Sequence, residues 1–377
     1  MKVEKPFNAK PSFEHFRKFL KRETTEGPVP SIELMVDSEI LAEATGGDPV
    51  ISIMDLANLD LKALTPKDLE TIGKLMDLSI SFSHTLGADF ITMLPFVPLQ
   101  RTPTQNNKEN PYQEGKTRGW QNEHSGMVTN RKEFEEFPWP PVEQINVFPI
   151  DYAASKMNPG LKVMVVYLGI FEDIRSLMSY ENLALKSIEE PDLVGDILEK
   201  LTILAEDCVE KAASHPAVGA IFYADDLGFT NNLMLSPKFL REWYFPRLKR
   251  IADVCHKHDK LFLFHSCGQI DSIMNDLIET VGIDGKHSFQ DTIEPIEVAY
   301  KKYGDRIALL GGVDVDLLAR GTTENVRART RRILEVCAPK GGFAIGSGNS
   351  VTNYCKVENY YAMLDETRKW NEEHGYF

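Results

Sequence analysis

From about residue 160 onward, short apolar runs alternate with longer stretches in which apolar positions recur at helical spacing. Residues 162–170 (KVMVVYLGI) read as a β-branched strand, and a helix is predicted from 191 through about 213. Residues 219–223 (GAIFY) form the next strand, ending at Ala224-Asp225-Asp226. A helix then opens at Ser236-Pro237, with Ser as the cap and Pro in the first turn. The rhythm continues with a strand at 261–264, a helix over 270–281, a strand at 283–288 and a helix over 295–303. It ends with a strand at 307–310 leading into Gly311-Gly312-Val313-Asp314, a helix over 322–336, a strand at 342–345 and a helix from 356 to about 371. Repeated strand–helix units require a parallel sheet covered by helices.

The first half is less regular. Residues 30–35 (PSIELM) and 89–96 (DFITMLPF) read as strands, separated by a helix around 66–86. Strands near 32, 91, 165, 221, 263, 286, 309 and 344 give the count of a closed (β/α)8 TIM barrel. The open doubly wound alternative lacks a Gly-x-Gly-x-x-Gly after its first strand, so its dinucleotide-binding version has no support.

Residues 97–142 are rich in Asn, Gln, Gly and Pro and carry Tyr112, Trp120, Phe134, Phe137 and Trp139. This segment is too long for an ordinary connection. It follows a strand end, so it is expected over the active-site face as a lid or substrate-binding insertion; a structural flap or an oligomer contact is the alternative. With no internal repeat and no linker, residues 1–377 are expected to form one barrel domain with an N-terminal helical extension.

Composition narrows the class. Hydrophobic residues make up 42% and charged residues 26%, the balance of a soluble globular chain. A formal charge of −14 argues against nucleic acid and against anionic membranes. No run approaches a membrane span, and residues 1–22 lack the apolar centre of a signal peptide, so a cytoplasmic location is expected. Five scattered cysteines fit reduced thiols rather than a disulfide framework.

The chemistry is expected at strand ends. His265 and Cys267, in Phe264-His265-Ser266-Cys267-Gly268, are two apart on a strand and face the same way. Imidazole with thiolate suits zinc, although two ligands do not make a site and the spacing alone favours a buried thiol beside a hydrogen-bonded histidine. Asp225 and Asp226 are adjacent, so at most one enters the barrel mouth, as base, ligand or orienting partner; the other caps a turn. Gly312 and Asp314 end another strand, where the glycines admit a ligand or merely ease packing. His287 can line the mouth. Cys255-His256-Lys257-His258 has metal-binding residue types but lies on an outer helix, and reads as a solvated face with one buried thiol.

The stretches DDLGFTNNLMLSPKFLREWYFPRLKRIADVCHKH, LFLFHSCGQI, GIDGKHSFQ, LLGGVDVDLLARG and FAIGSGNSV followed by VENYYAML resemble the uroporphyrinogen decarboxylase superfamily. The resemblance covers roughly the last 150 residues and implies the same (β/α)8 barrel. The decarboxylase branch carries an Arg-Gln-Ala-Gly-Arg motif, an acid on an early strand and a Gly-His-Gly near the last strand. Here the first is missing, the second reads Ile91-Thr92-Met93-Leu94-Pro95, and the third reads Gly346-Ser347-Gly348.

The other branch, zinc methyltransferases that work with corrinoids, carries His-x-Cys-Gly and a second Cys in the Gly-x-Gly slot. His265, Cys267 and Gly268 match; Ser347 departs from the pattern and is a poor ligand. Cys355 and Glu33 are the candidate replacements, with acids at other strand ends. The resemblance thus implies zinc at His265 and Cys267, with Cys355 or Glu33 added, and catalytic parts for Asp225, Asp226 and Ser347. Gly312, Asp314, Gly346 and Gly348 become the cofactor-facing positions.

The expected activity moves a methyl group between a methylated small molecule, such as an O-methyl compound, and a thiol or a corrinoid (cobalamin-type) carried by a partner protein. A homodimer is left as an option. A decarboxylase acting on a tetrapyrrole or smaller acid, and a non-catalytic metal- or corrinoid-binding protein, remain the alternatives.

Overall fold

In chain order the strands are β1 Phe90–Met93, β2 Gln105–Asn107, β3 Arg118–Trp120, β4 Lys162–Leu168, β5 Val218–Ala224, β6 Leu261–His265, β7 Gly285–His287, β8 Ala308–Val313 and β9 Phe343–Ser347. The computed structural model describes residues 6–8, 10–50, 65–102, 105–107, 118–120 and 123–376. Among the described residues β2 and β3 pair with each other alone, antiparallel. The remaining seven form one curled parallel sheet in the order β1-β4-β5-β6-β7-β8-β9.

Alternation along these strands separates two apolar layers. Met164, Val166, Ala220, Phe222, Leu261, Leu263, Ala308, Leu310 and Ala344 face inward and share one cluster with Ile32, Leu34 and Phe90. Val165, Ile221, Tyr223, Phe262, Phe264, Leu309 and Ile345 face outward into the larger cluster with the helices. The N-terminal helix Phe13–Leu20 sends Phe13, Phe16 and Leu20 into the inner cluster. The Phe13 amide also donates to the carbonyl of Gly160, just before β4, so this helix plugs the end of the sheet where the strands begin. The strand ends opposite are left for loops.

Seven of the eight expected strands are present at the expected places. The first, at 30–35, is reduced to two isolated parallel bridges, Ser31 to Ile345 and Val36 to Val351. Pro28 and Pro30 carry no N–H, which removes ladder donors at its start. Ile32 and Leu34 still complete the inner cluster. Among the described residues no backbone pairing joins this segment to β1. A cavity of about 80 Å³ lies there, walled by Ile72, Leu75 and Met76 of the helix Pro66–Leu86, by Tyr360 and Leu364, and by Glu33.

The helix expected from Ser236 is present, with the Ser236 hydroxyl accepting from the Phe239 amide at 3.2 Å. It runs as Pro237–Phe239, a wide π turn Leu240–Tyr244, and Phe245–Lys257. Pro246 cannot donate to the preceding turn, which gives the widening a cause. The helix expected over 270–281 is instead a 3-10 turn, Asp271–Ile273, and a π turn, Asp276–Val281.

Of the segment 97–142, Tyr112 lies outside the described residues. Its later part packs on the helices Ile170–Met178 and Pro191–Ala213: the Met127 and Val128 amides donate to the Leu177 carbonyl, and Arg131 pairs with Asp196. Among the described residues no helix is long and apolar enough to cross a membrane.

Candidate metal centre

β5 ends in two acids that take opposite sides of the chain, as strand geometry requires. Asp225 is fully buried and accepts from the amides of Phe171 and Glu172 at 3.0 and 2.7 Å and from the Tyr244 hydroxyl at 2.6 Å. The helix Ile170–Met178 begins after Gly169, which has no capping side chain, so Asp225 satisfies its first amides from a distance. Burial pushes the Asp225 carboxyl well above the ordinary range, against the pull of the Tyr244 hydroxyl and those two amides. Asp225 anchors.

Asp226 turns toward β6. Its Oδ1 accepts from the Cys267 amide at 2.8 Å and lies 3.5 Å from His265 Nε2. Burial works to raise this carboxyl too, but the hydrogen bond and charge of His265, helped by the Cys267 amide, outweigh it and hold it at about 2. Cys267 Sγ lies 3.5 Å from His265 Nε2 and accepts from Asn349 Nδ2 at 3.1 Å. Burial, and then the negative Asp226, push the Cys267 thiol well up.

The histidine ring is wired from behind. His287 Nε2 faces the Ser347 carbonyl at 2.9 Å, and a carbonyl only accepts, so that nitrogen carries hydrogen. Burial, reinforced by His265, keeps His287 neutral, leaving a bare Nδ1. His287 Nδ1 and His265 Nδ1 are 2.7 Å apart, so the proton between them sits on His265. With its Nδ1 proton fixed in this way, His265 turns Nε2 between a thiol and a carboxylate. Such second-partner control of the tautomer is how proteins orient metal-binding histidines.

This donor set fits zinc. One nitrogen, one sulfur and one oxygen, from His265, Cys267 and Asp226, all lie within 4.8 Å of one another. Zinc bonds of about 2.0 to 2.3 Å in a tetrahedron place neighbouring donors roughly 3.5 Å apart. Cys267 Sγ and Asp226 Oδ1 each lie 3.5 Å from His265 Nε2. Thiolate, imidazole and carboxylate leave a fourth direction for an incoming ligand. Zinc held there would draw on Cys267 as thiolate, offsetting the burial that keeps the free thiol protonated.

The other sequence candidates fall elsewhere. Glu33 and Ser347 meet each other: the Ser347 amide donates to Glu33 Oε1 at 3.0 Å, and the Ser347 hydroxyl lies between Glu33 Oε2 and the Asn349 carbonyl. One hydroxyl proton cannot serve two acceptors. The carbonyl can only accept, so the Glu33 carboxylic acid supplies the second proton. Burial, opposed by the Ser347 contacts, pushes Glu33 up to about 8 in agreement.

Cys355 is buried with its sulfur 3.6 Å from the Thr352 hydroxyl. Neither Glu33 nor Cys355 joins the three-donor group among the described residues. Asp314 caps the helix Val315–Arg320, accepting from the Asp316 amide, and also takes the Asp291 amide, each at 2.8 Å. Gly346 and Gly348 answer to close backbone approach: a Cβ there would fall 1.8 Å from the Ile32 carbonyl oxygen and 2.1 Å from the Phe289 carbonyl oxygen. Gly312 would meet Ile296 at 2.5 Å. On the outer helix Cys255 is buried, while His256 and His258 bond Asp284 and Glu210, each at 2.9 Å.

Asn349, the donor to Cys267 Sγ, was not legible: a polar residue in a Gly-Asn-Ser turn is ordinary. His287 was noticed only as a residue near the mouth. Its signal was a histidine on the inward side of a buried strand, one position from Lys286.

The uroporphyrinogen decarboxylase (URO-D) family matches residues 147–370, which contain Asp226, His265, Cys267, His287 and Ser347 but not Glu33. No curated protein sequence matches the chain with significance. Among solved structures, a methyltransferase from Methanosarcina mazei is similar over 97% of this chain and 99% of its own, at 18% identity and a TM-score of 0.62. The xylanase XynB from Paenibacillus barcinonensis covers 59% of this chain and 83% of its own at 13% identity, with a TM-score of 0.36. The match spans well over half the chain and takes in every residue of the three-donor group: the protein belongs to the uroporphyrinogen decarboxylase (URO-D) family.

Proposed function

We propose that this protein is a zinc-dependent methyltransferase, passing a methyl group between a small methylated compound bound at the rim and a corrinoid carried by a partner protein. The observation that carries the reading is the group Asp226, His265 and Cys267, in which a tautomer-fixed imidazole meets a thiol and an ionised carboxylate. The fold it shares with the Methanosarcina mazei methyltransferase over nearly its whole length supports the same reading.

Zinc bound there supplies Lewis acidity toward a substrate oxygen or an acceptor thiol. Asp226, His265 and Cys267 hold it, and His287 keeps the His265 lone pair outward. Asn349 donates to the sulfur and so steadies its negative charge. Of the two β5 acids, Asp226 is the one beside the reacting atoms, and Asp225 keeps its neighbour's direction fixed. In the same reading the segment 31–36 acts as the eighth stave of a (β/α)8 barrel, residues 1–377 act as one domain, and the 97–142 insertion borders the substrate's approach.

Two measurements test this. Purified protein should contain close to one zinc per chain, and a methylated donor should convert cob(I)alamin to methylcobalamin in its presence. Release of carbon dioxide from a carboxylated substrate, with no donor methylating cob(I)alamin, would overturn the reading in favour of a lyase. Zinc without either activity would favour a binding protein.

A further inference from the structure

Lys286 stands at the centre of β7, between inward-facing Gly285 and His287, and so points to the helix side. It is only 5% exposed. Its ammonium donates to the Ser288 carbonyl and sits 4.0 Å from the centre of the Phe289 ring. An ammonium has three protons to place, and these partners leave part of that demand unmet. The nearby acids are already engaged. Glu294 and Asp271 both pair with Lys302, at 2.6 and 3.0 Å, and Asp271 also takes the Tyr303 hydroxyl at 2.6 Å. A buried cation without a carboxylate partner is costly in a folded chain.

The ammonium borders a small pocket. Its walls include Gly268, Gln269, Lys286, Ser288, Gln290 and Tyr303, and it encloses about 20 Å³, room for roughly one water-sized group. The pocket adjoins the metal centre on two sides: Gly268 follows Cys267 directly, and the Ser288 hydroxyl lies 3.9 Å from Cys267 Sγ. Gln269 turns its carbonyl oxygen to the Asp271 amide at 3.1 Å, which leaves its NH2 as a second donor in the same wall.

We infer that this pocket is an anion subsite, in which Lys286 receives the carboxylate of a small substrate whose reacting part lies at Cys267. The volume admits about one carboxylate oxygen beside the ammonium, with the rest of the substrate outside the pocket. Burial lowers the Lys286 ammonium to about 8, so it remains largely charged at neutral pH. The inference rests on the rim as the place where substrate binds; it does not depend on which reaction follows.

The test compares acetate and benzoate with the neutral acetamide and benzamide, at constant ionic strength held with chloride, by thermal unfolding of the full chain. It is run on protein as purified and again after zinc removal, which separates Lys286 from direct binding to the metal. The carboxylates should raise the unfolding midpoint and the amides should not, in both preparations. In Lys286→Met the carboxylate affinity should fall on the order of ten-fold or more, the loss expected when a charged hydrogen-bond partner is removed. Its ligand-free midpoint should be no lower than that of the wild type, because a buried charge has been replaced by a side chain of similar length.

Equal response to acid and amide in the wild type overturns the proposal by itself, whether or not the variant folds. So does an unchanged carboxylate response in Lys286→Met. Zinc content is measured on the same samples: its absence together with an intact carboxylate response would sink the metal reading and leave the anion subsite standing.

Discussion

Two carboxyls lie near the strand ends of the same curled sheet and reach opposite charge states. Asp226 is held at about 2, whereas Glu33 is pushed up to about 8. Burial opposes ionisation in both. The difference lies in their partners: Asp226 faces an imidazole and a backbone amide, whereas Glu33 faces a neutral hydroxyl, a backbone amide and an apolar cavity. At Asp226 the interaction with His265 and the Cys267 amide outweighs the loss of water around the charge, whereas the Ser347 contacts at Glu33 do not. The proposed metal centre at the rim thus keeps an ionised carboxylate ready for a cation, whereas the seam between Glu33 and Ser347 holds a proton.

The largest effect expected from this contrast is at the rim. Cys267→Ala should reduce bound zinc to less than about a tenth of the wild-type content and methyl transfer on the order of 1000-fold, since it removes both a ligand and the sulfur beside the substrate. Elemental analysis of the purified variant checks the first part. Full zinc occupancy in that variant would move the centre elsewhere.

Asp226→Asn and Glu33→Gln then set the two carboxyls directly against each other. Asp226→Asn should weaken zinc binding by about 100-fold in a chelator competition, because it removes the anionic member of the donor set. Glu33→Gln should leave zinc binding as it is, since a neutral amide replaces a neutral acid. A reversed result would make Glu33 the third ligand, as the sequence alone allowed.

His287→Leu should cost about ten-fold in zinc affinity while the chain stays folded, because the His265 ring loses the acceptor that fixes its tautomer. The nuclear resonance pattern of the His265 ring nitrogens reports the tautomer independently.

The smallest effect concerns stability and pH. Glu33 keeps its proton in the folded chain up to about pH 8, whereas the unfolded chain releases it near 4.5. Between those values the folded state binds more protons, so its stability falls as pH rises, and the change is complete above about 8. Glu33→Gln lacks this dependence. Urea unfolding across about pH 4 to 9 should thus show the wild type losing stability relative to the variant over that window. Parallel curves would mean that Glu33 is ionised in the fold.

Much of the fold was readable because strands buried on both faces of a parallel sheet appear as unbroken apolar runs. β4, β5, β6, β8 and β9 have that character. The segment 30–35 alternates instead, and its prolines cannot donate, which explains why it reaches β9 by bridges alone. Helix interruptions such as Leu240–Tyr244 depend on one missing donor and alter no periodicity that a sequence displays. At the site, the spacing of His265 and Cys267 pointed to the right pair, although β6 ends at His265 and Cys267 is brought to it by the turn beyond, where its amide donates to Asp226.

Asp226 was visible as a strand-end acid, but its partnership with Cys267 crosses from one strand end to the next. The same is true of Asn349, which comes to the sulfur from beyond β9. The unfilled demand of Lys286 could not be read either, since nothing in Gly285-Lys286-His287 tells that Lys302 has already taken the local acids.

The relay from the Ser347 carbonyl through His287 to His265 has a consequence for biosynthesis. It draws on β6, β7 and β9, and Asn349 follows β9 immediately. A growing chain that has made only β5 and β6 already owns Asp226, His265 and Cys267, yet nothing fixes which ring nitrogen offers its electrons. If the proposed centre binds metal, it should do so fully only once residue 349 has left the ribosome, because a truncated or stalled product carries the three donors without the hydrogen bonds that align them.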